Sequence, residues 1–370
     1  MSNFKFAWFS DTHVGFRQYG LQRREEDFRR AFLDAIRLTI DTGCEFGIHS
    51  GDIIHNNRPS AATIATLQEG HALLKDAGIP LLVVSGNHDF SEPHWLETVD
   101  PGGTHPDTGG LVLFDNQRWT PESQPGFVVF GLPWMPREQF LEQCKGRDQR
   151  ADVVIWHGAL QEFIGFPQAS ALRVEELPLM GGVQLWAAGD IHVNKVKKYG
   201  NTWVGYPGST ELNSATEEDV KVVKIVDVVD GKIVKFTDWP IATRPVIRIT
   251  VGQECDIAHH IDELRKHAAG VYKSPIVFIE YPQDIGCNVL ERFKAALNPD
   301  EFVLRDEPDP VSRDESGDYT QIALQTITPA DMLETMLPQD NPILPVARKI
   351  IDPTNRAEDA IDQFIDAACA

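Results

Sequence analysis

No apolar run in this sequence approaches the roughly 18–20 residues needed to cross a bilayer, so no membrane-spanning helix is expected. Cysteine is scarce. The five residues (Cys44, Cys144, Cys255, Cys287, Cys369) are scattered, odd in number and form no C-x-x-C pair. That spacing argues against a disulfide framework and against a thiolate zinc site, and leaves ordinary buried thiols. The apolar stretch 4–10 is too short for a secretion signal and runs straight into Asp11, so a cytoplasmic protein is the expectation. Basic residues are few: 34 Lys and Arg stand against 55 Asp and Glu, a net charge of −21. Neutralising phosphate requires cations at the contact. Bulk charge therefore argues against nucleic-acid binding, and such a function must rest on local basic patches, on metal ions or on a partner.

What remains is a globular chain. Over 370 residues, 42% are apolar and 24% charged, values that exclude wholesale disorder and leave room for two or three domains. No internal repeat is evident. The first 240 or so residues alternate short apolar runs with helical patterns, which predicts an α/β domain. Strands are expected at 4–9, 46–49, 80–85, 127–130, 152–156 and 184–188. Helical spacing over 25–42 stops at Gly43, and a second helix capped by Ser60 stops at Gly78. Residues 220–229 and 232–237, joined by Asp230-Gly231, read as a hairpin. Beyond Arg244-Pro245, strands at 246–251, 276–281 and 302–304 with helices at 256–269 and 289–297 suggest a small β-α-β-α-β unit. The acidic stretch 306–318 reads as an exposed loop. Thr328-Pro329 opens a helical tail ending in an amphipathic stretch with Ala360, Ile361, Phe364 and Ile365, which must dock elsewhere to bury its apolar face.

The predicted strands of the first domain lead into polar loops, and five of these hold metal-ligand residue types: Asp11-Thr12-His13, Gly51-Asp52, Gly86-Asn87-His88-Asp89, Trp156-His157-Gly158 and Gly189-Asp190-Ile191-His192. In open α/β folds, ligands gather at the carboxyl ends of strands, so these loops are expected to converge. Carboxylate, imidazole and amide oxygen together suit a pair of divalent ions, with Asp52 the natural bridge. Each motif alone is weak; their order, each after a strand, is what carries weight. His49, at a strand end, reads as a core histidine, and His71, His94, His105, His259, His260 and His267 as surface. Trp134 and Trp156 read as packing residues. Arg17, Arg23, Arg24 and Arg58 flank the ligand loops and could contact phosphate, although Arg23 and Arg24 fit a solvated helix face equally well.

These motifs resemble those of the calcineurin-like metallophosphoesterase superfamily. More narrowly, 11–19 with 24–28, 51–60 and Tyr206-Pro207-Gly208-Ser209-Thr210-Glu211 resemble the SbcD-type double-strand-break repair nucleases. Thr243-Arg244-Pro245 fits the same family. The likeness is clear over about 240 residues and beyond them holds in layout. It implies a β-sandwich flanked by helices over 1–243, a small α/β domain capping the DNA at 244–327, and a helical tail at 328–370 that docks on an SMC-like ATPase subunit.

By the same resemblance, Asp11, His13, Asp52 and His192 would hold one ion, and Asp52, Asn87, His157 and Asp190 the other. His88 would act on the scissile phosphate as general acid, Asp89 would orient it, and His55 would lie near the nucleotide phosphate. Asp190 departs from the family's Gly-His-x-His; a carboxylate there is expected to retain ligation and to favour oxygen-loving metals. The function implied is a manganese-dependent nuclease, with magnesium an alternative ion, acting on DNA ends through a metal-held hydroxide. The chain would be a homodimer, nucleoid-associated in a bacterium or in the host cytoplasm if viral. Competing readings are a phosphodiesterase of small or phosphoprotein substrates and a non-catalytic scaffold.

Overall fold

The computed structural model describes residues 3–250, apart from 92–93, 102, 104, 145–149, 166, 179–181, 215–216 and 218–219. Beyond these it describes His259, Asp262, 275–281, Ala295 and 303–308. The strands in chain order begin with β1 (Phe4–Phe9), β2 (Phe46–His49), β3 (Pro80–Val83), β4 (Gly110–Leu113), β5 (Arg118–Trp119) and β6 (Val129–Leu132). They continue with β7 (Val153–His157), β8 (Leu185–Gly189), β9 (Lys195–Tyr199), β10 (Thr202–Tyr206), β11 (Val222–Val229) and β12 (Lys232–Pro240). The main helices are α1 (Gln22–Asp41) and α2 (Ala61–Asp76), followed by the short α3 (Leu96–Val99) and α4 (Arg137–Cys144).

Two six-stranded sheets result, ordered β12-β11-β1-β2-β3-β4 and β5-β6-β7-β8-β10-β9. β1 to β4 are mutually parallel, as are β6, β7, β8 and β10. Successive side chains of a strand face opposite ways, and that period sorts the core. Phe6 and Trp8 of β1 join Phe46, Ile48, Leu82, Ile155 and Ala187 between the sheets. Ala7 and Phe9 turn outward to meet Phe32, Ile36, Leu67 and Leu74 of α1 and α2. On the far face of the second sheet, Trp156, Trp186 and Tyr206 pack with Phe140 of α4. The first domain is thus a β-sandwich flanked by helices, and β2, β3, β6, β7 and β8 are buried along their whole length, which is why their sequences read as continuous apolar runs.

Local signals explain the boundaries. Ser60 Oγ accepts the Thr63 N–H at 3.1 Å and starts α2. The hairpin turns through Asp230 and Gly231 at φ 50° and 74°, the left-handed pair a tight two-residue turn demands. Helix α1 begins three residues before the sequence-based start. Strands β4, β5, β9 and β10 carry no sequence signal strong enough to predict them: β4 and β5 are short, and β9 is an exposed edge strand with three lysines.

A third sheet joins β13 (Val246–Thr250), β14 (Ile276–Tyr281) and β15 (Val303–Pro308) in that order. These are the three strands expected of the second domain, although β15 runs into the segment read as a loop. The two expected helices lie outside the described residues except for His259, Asp262 and Ala295, which are helical. The rest of the 306–318 loop and the whole tail also lie outside them.

Arg24 is neither a phosphate contact nor a solvated charge. Its side chain is 1% exposed and donates to Gln18 Oε1 (2.8 Å), Asp27 Oδ2 (2.7 Å), Glu211 Oε1 (3.3 Å) and the Leu212 carbonyl (2.8 Å). Arg244 forks onto the same Asp27, through Nε at 2.6 Å and Nη2 at 2.8 Å. One buried carboxylate thus ties α1, the 211–212 segment and the chain just before β13. Removing it takes from two buried guanidinium groups the carboxylate they share, so Asp27→Ala is expected to destabilise the fold by about 3 kcal/mol. Urea unfolding checks this, and a midpoint equal to that of the unsubstituted chain would show that the network is dispensable.

Candidate metal centre

Five strand ends deliver the site. Asp11 and His13 follow β1, Asp52 follows β2, Asn87 and His88 follow β3, His157 ends β7, and Asp190 and His192 follow β8. The backbone is bent sharply to turn these side chains together: Asp11, His13, Asp52 and Asp190 have φ of 52°, 43°, 56° and 97°, left-handed values that non-glycine residues rarely adopt. The loops interlock through Asp11 N–H to Gly51 O (3.1 Å), His13 N–H to Asp52 O (3.0 Å) and Val14 N–H to Ile53 O (2.9 Å). Gly86 is required by contact. A Cβ there would lie 2.2 Å from Asp52 Oδ1, and one at Gly51 would lie 2.3 Å from His157 Nδ1.

The donor atoms meet in two clusters, Asp11/His13/His192 and Asp11/Asp52/His157, each with its ligand atoms within 4.8 Å of one another. Asp52 Oδ2 faces three imidazoles, at 3.8 Å from His13, 3.9 Å from His88 and 3.5 Å from His157. Asp52 thus faces imidazoles from three different loops. Asp11 is common to both clusters, a role the motif reading did not give it. Asn87 Oδ1 lies 3.1 Å from His157 Nε2, and Asp190 Oδ1 lies 3.8 Å from the same nitrogen. The Asp190 N–H donates to both oxygens of Asp11, at 3.1 and 3.3 Å. His13, His55 and His88 form a third group at the edge of the first.

Hydrogen bonds settle which nitrogen each imidazole presents. A carbonyl or carboxylate only accepts, so Nδ1 of His157 donates to Ser50 O (2.7 Å), Nδ1 of His88 to His55 O (2.7 Å) and Nδ1 of His192 to Glu217 Oε1 (2.9 Å). In each case Nε2 is left pointing into the centre; for His157 and His192 this is the arrangement by which outer hydrogen bonds orient histidines toward a metal. His13 is buried with neither ring nitrogen hydrogen-bonded. A buried imidazole with unsatisfied nitrogens beside carboxylates that have no arginine or lysine partner among the described residues is the chemistry of a divalent-cation site, and the residues present fit one.

The electrostatics agree. Burial alone would lower the pKa of His157, but the carboxylates of Asp52, Asp11 and Asp190 outweigh it and raise the group to about 9. Burial, with neighbouring imidazoles, holds His13 well below its ordinary value. Burial pushes Asp11 up to about 6 and Asp89, next to Asp52, up to about 8. His55 is lowered to about 4, by burial and by His88; its ring stacks on Phe16 at 3.8 Å.

Asp89 does not orient His88, as expected from sequence. It is fully buried, and its carboxylate accepts the N–H groups of Gly86 (2.8 Å), Ile54 (3.1 Å) and Ile53 (3.3 Å), stapling two ligand loops together. The His55 carbonyl orients His88 instead. His49 is a core histidine, its Nε2 3.2 Å from Thr12 Oγ1. His71 is buried rather than on the surface, accepting the Leu111 N–H at 3.2 Å. Sequence reasoning missed Glu217. Besides His192, it bonds Lys221 Nζ at 2.6 Å, Ser209 Oγ at 3.3 Å and the Asn213 N–H at 3.2 Å. Nothing in the run of acidic residues around it distinguishes it.

A sandwich that delivers carboxylates, imidazoles and an amide oxygen from five strand ends to one spot defines a dimetal phosphoesterase. Residues 4–194 match the calcineurin-like phosphoesterase family, and the chain belongs to it. It is similar to the DNA double-strand break repair protein Mre11 of Methanosarcina mazei, with 26% identity over 294 residues, 74% of this chain and 44% of that one. With the Mre11 of Halobacterium salinarum it shares 32% identity over 58% of this chain and 54% of that one. With that of Thermoplasma acidophilum the identity is 24%, over 85% and 87%. The chain spans about half the length of the first two.

Two outcomes follow from this geometry. Losing the Glu217 carboxylate frees His192 to rotate, so Glu217→Ala is expected to lower metal affinity about 10–100-fold, and Glu217→Gln, which still offers an acceptor, by less. Titration calorimetry with manganese reads this directly, and unchanged affinity in the alanine variant would remove Glu217 from the site. His157, at about 9, carries a proton at neutral pH in the metal-free chain. Binding must expel it, so the apparent enthalpy of manganese binding at pH 7 is expected to vary with buffer ionisation heat by about one proton, and affinity to rise with pH toward 9. A buffer-independent enthalpy would contradict the protonated state.

Proposed function

We propose that the chain is a manganese-dependent DNA nuclease that processes double-strand breaks together with an SMC-like ATPase subunit. The observation that carries the hydrolytic part is the placement of His88. Its Nδ1 is held by the His55 carbonyl, its Nε2 stands 3.9 Å from Asp52 Oδ2, and its side chain is 36% exposed where the buried donors open to solvent. The substrate class rests on the similarity to proteins named for DNA double-strand break repair.

Asp11, His13, Asp52 and His192 would hold one ion, and Asp52, Asn87, His157 and Asp190 the other. When bound, the ions supply Lewis-acid activation of water and neutralise phosphate charge. His88 delivers a proton from Nε2 to the departing sugar oxygen as general acid. His55, beside it, contacts the nucleotide phosphate. Asp190, in place of an imidazole, keeps ligation and tilts the second position toward oxygen-preferring ions such as manganese or magnesium. Residues 244–327 would cap DNA over the 1–243 domain, the 328–370 tail would dock on the ATPase, and the nuclease domain would pair with a second copy.

The net charge of −21 favours a second reading, in which the same centre hydrolyses a small phosphodiester or a phosphoprotein. One experiment separates the two: degradation of end-labelled duplex and single-stranded DNA in manganese, with bis(4-nitrophenyl) phosphate run in parallel. DNA cleavage is expected, reduced about 10²–10⁴-fold in His88→Ala. Hydrolysis of the small ester with intact DNA, even with the ATPase added, would establish the second reading; inactivity on both would leave a scaffold.

A further inference from the structure

A cleft of about 870 Å³ opens beside the metal centre, lined among others by Asn57, Arg58, Ile64, Phe90 and Trp95. It falls within the roughly 300–1,000 Å³ of small-molecule sites. Two of the loops that carry the centre continue into its walls: Asn57 and Arg58 come two and three residues after His55, and Phe90 follows His88 and Asp89. Neither Phe90 nor Arg58 is accounted for by the metal centre or by the core.

Phe90 is 43% exposed, one of few large apolar side chains so placed among the described residues, and it lies two residues along the chain from His88. Its ring meets the edge of Trp134, centroids 6.1 Å apart at 62°, a contact that supports the ring. Arg58 is exposed, and its backbone N–H is tied to Asn56 Oδ1 at 3.0 Å, so the cation sits on an ordered turn. Trp95, whose buried indole N–H has no hydrogen-bond partner, lines the same cleft. An open aromatic face, a guanidinium and an amide beside a phosphoester-cleaving centre are the chemistry that recognises a nucleotide: base on ring, phosphate on cation.

We infer that this cleft is a subsite for one unpaired nucleotide of the DNA strand next to the scissile phosphate, with Phe90 stacking its base and Arg58 pairing with its phosphate. The inference rests on the nuclease reading and extends it. It assigns part of the affinity of this acidic chain to a local aromatic–cation pair, and it makes strand separation at the end a condition for engagement, because a stacked, paired base cannot reach the ring.

The test is binding of a fluorescein-labelled short single-stranded DNA to the full chain carrying His88→Ala, in manganese, so that the strand is held uncut. Adding Phe90→Ala is expected to weaken binding about tenfold, whereas Phe90→Trp keeps or tightens it. Arg58→Gln is expected to reduce the slope of log affinity against log salt by about 0.7, the value for one phosphate contact on a single strand. Phe90 is exposed, so loss of fold does not confound the alanine variant, and the tryptophan variant guards against it. Binding that is unchanged by both Phe90→Ala and Arg58→Gln overturns the subsite while leaving the nuclease reading standing. If the strand is not bound at all, nuclease reading and subsite fall together.

Discussion

The structure is organised around two carboxylates buried beside one another without a guanidinium or ammonium to neutralise them. Asp11 and Asp52 are 0% and 3% exposed, and among the described residues their ion-pair partners are imidazoles only. Burying a charge costs several kcal/mol unless it is matched, and the same fold shows what matching looks like. Asp27, equally buried, lies between the guanidinium groups of Arg24 and Arg244 at 2.6–2.8 Å. The chain thus satisfies a structural carboxylate permanently, with arginine, and leaves the other two facing histidines, whose ring nitrogens can bind a proton or a metal cation. In the metal-free chain a proton on His157, raised to about 9 by these carboxylates against the effect of burial, partly offsets their charge. The left-handed backbone at Asp11, His13, Asp52 and Asp190 and the absent Cβ at Gly51 and Gly86 are consequences of bringing these groups within reach of one another.

How much of this could be read in advance depended on whether the interaction was local. Each ligand motif lies at the end of a short, apolar strand, and strand followed by polar loop is a pattern within ten residues; hence β1, β2 and β3 and the loops after them were legible as a convergent set. The outer hydrogen bonds were not. Ser50 and His55 act through their carbonyl oxygens, which every residue possesses, so no side-chain identity marks them. Glu217 reaches His192 across 25 residues that include β9 and β10, two strands whose mixed, partly exposed sequences carry little signal. Arg24 was misjudged for the converse reason. Its place in a charged helical run suggests a solvated face, and only Glu211 and Arg244, far along the chain, reveal that α1 has a polar interior edge.

Asp89 shows the same limit from inside a motif. A carboxylate adjacent to a histidine invites the reading of a dyad, yet successive residues of a tight loop point apart. Asp89 turns inward to gather the N–H groups of Gly86, Ile53 and Ile54, while His88 turns to solvent. Its contribution to the centre is therefore mechanical. It holds the loop bearing Asn87 and His88 against the loop bearing Asp52, and the Asp52 carboxylate in turn accepts the His88 N–H at 3.0 Å. Two acidic side chains, one facing in and one facing the cluster of imidazoles, lock two loops in a fixed register.

The acidity of the chain takes on a different meaning once charge is resolved by position. A net charge of −21 repels a polyanion at long range, but that repulsion is screened within about 8–10 Å at physiological salt. What a strand meets at contact is local: Arg17 and Arg58, both exposed, beside the strand-end loops, and a centre whose two divalent ions would carry more positive charge than Asp11, Asp52 and Asp190 hold negative. Attraction at the site then depends on metal loading. A metal-free chain presents a phosphate with carboxylates, and a loaded one would present a positive focus set in a negative field. On the nuclease reading, this couples engagement to readiness for hydrolysis, because the ions that activate water are also the ions that make the site attractive to phosphate. Asp190 sharpens that coupling, since its carboxylate adds one more negative charge at the same spot, 3.8 Å from His157 Nε2.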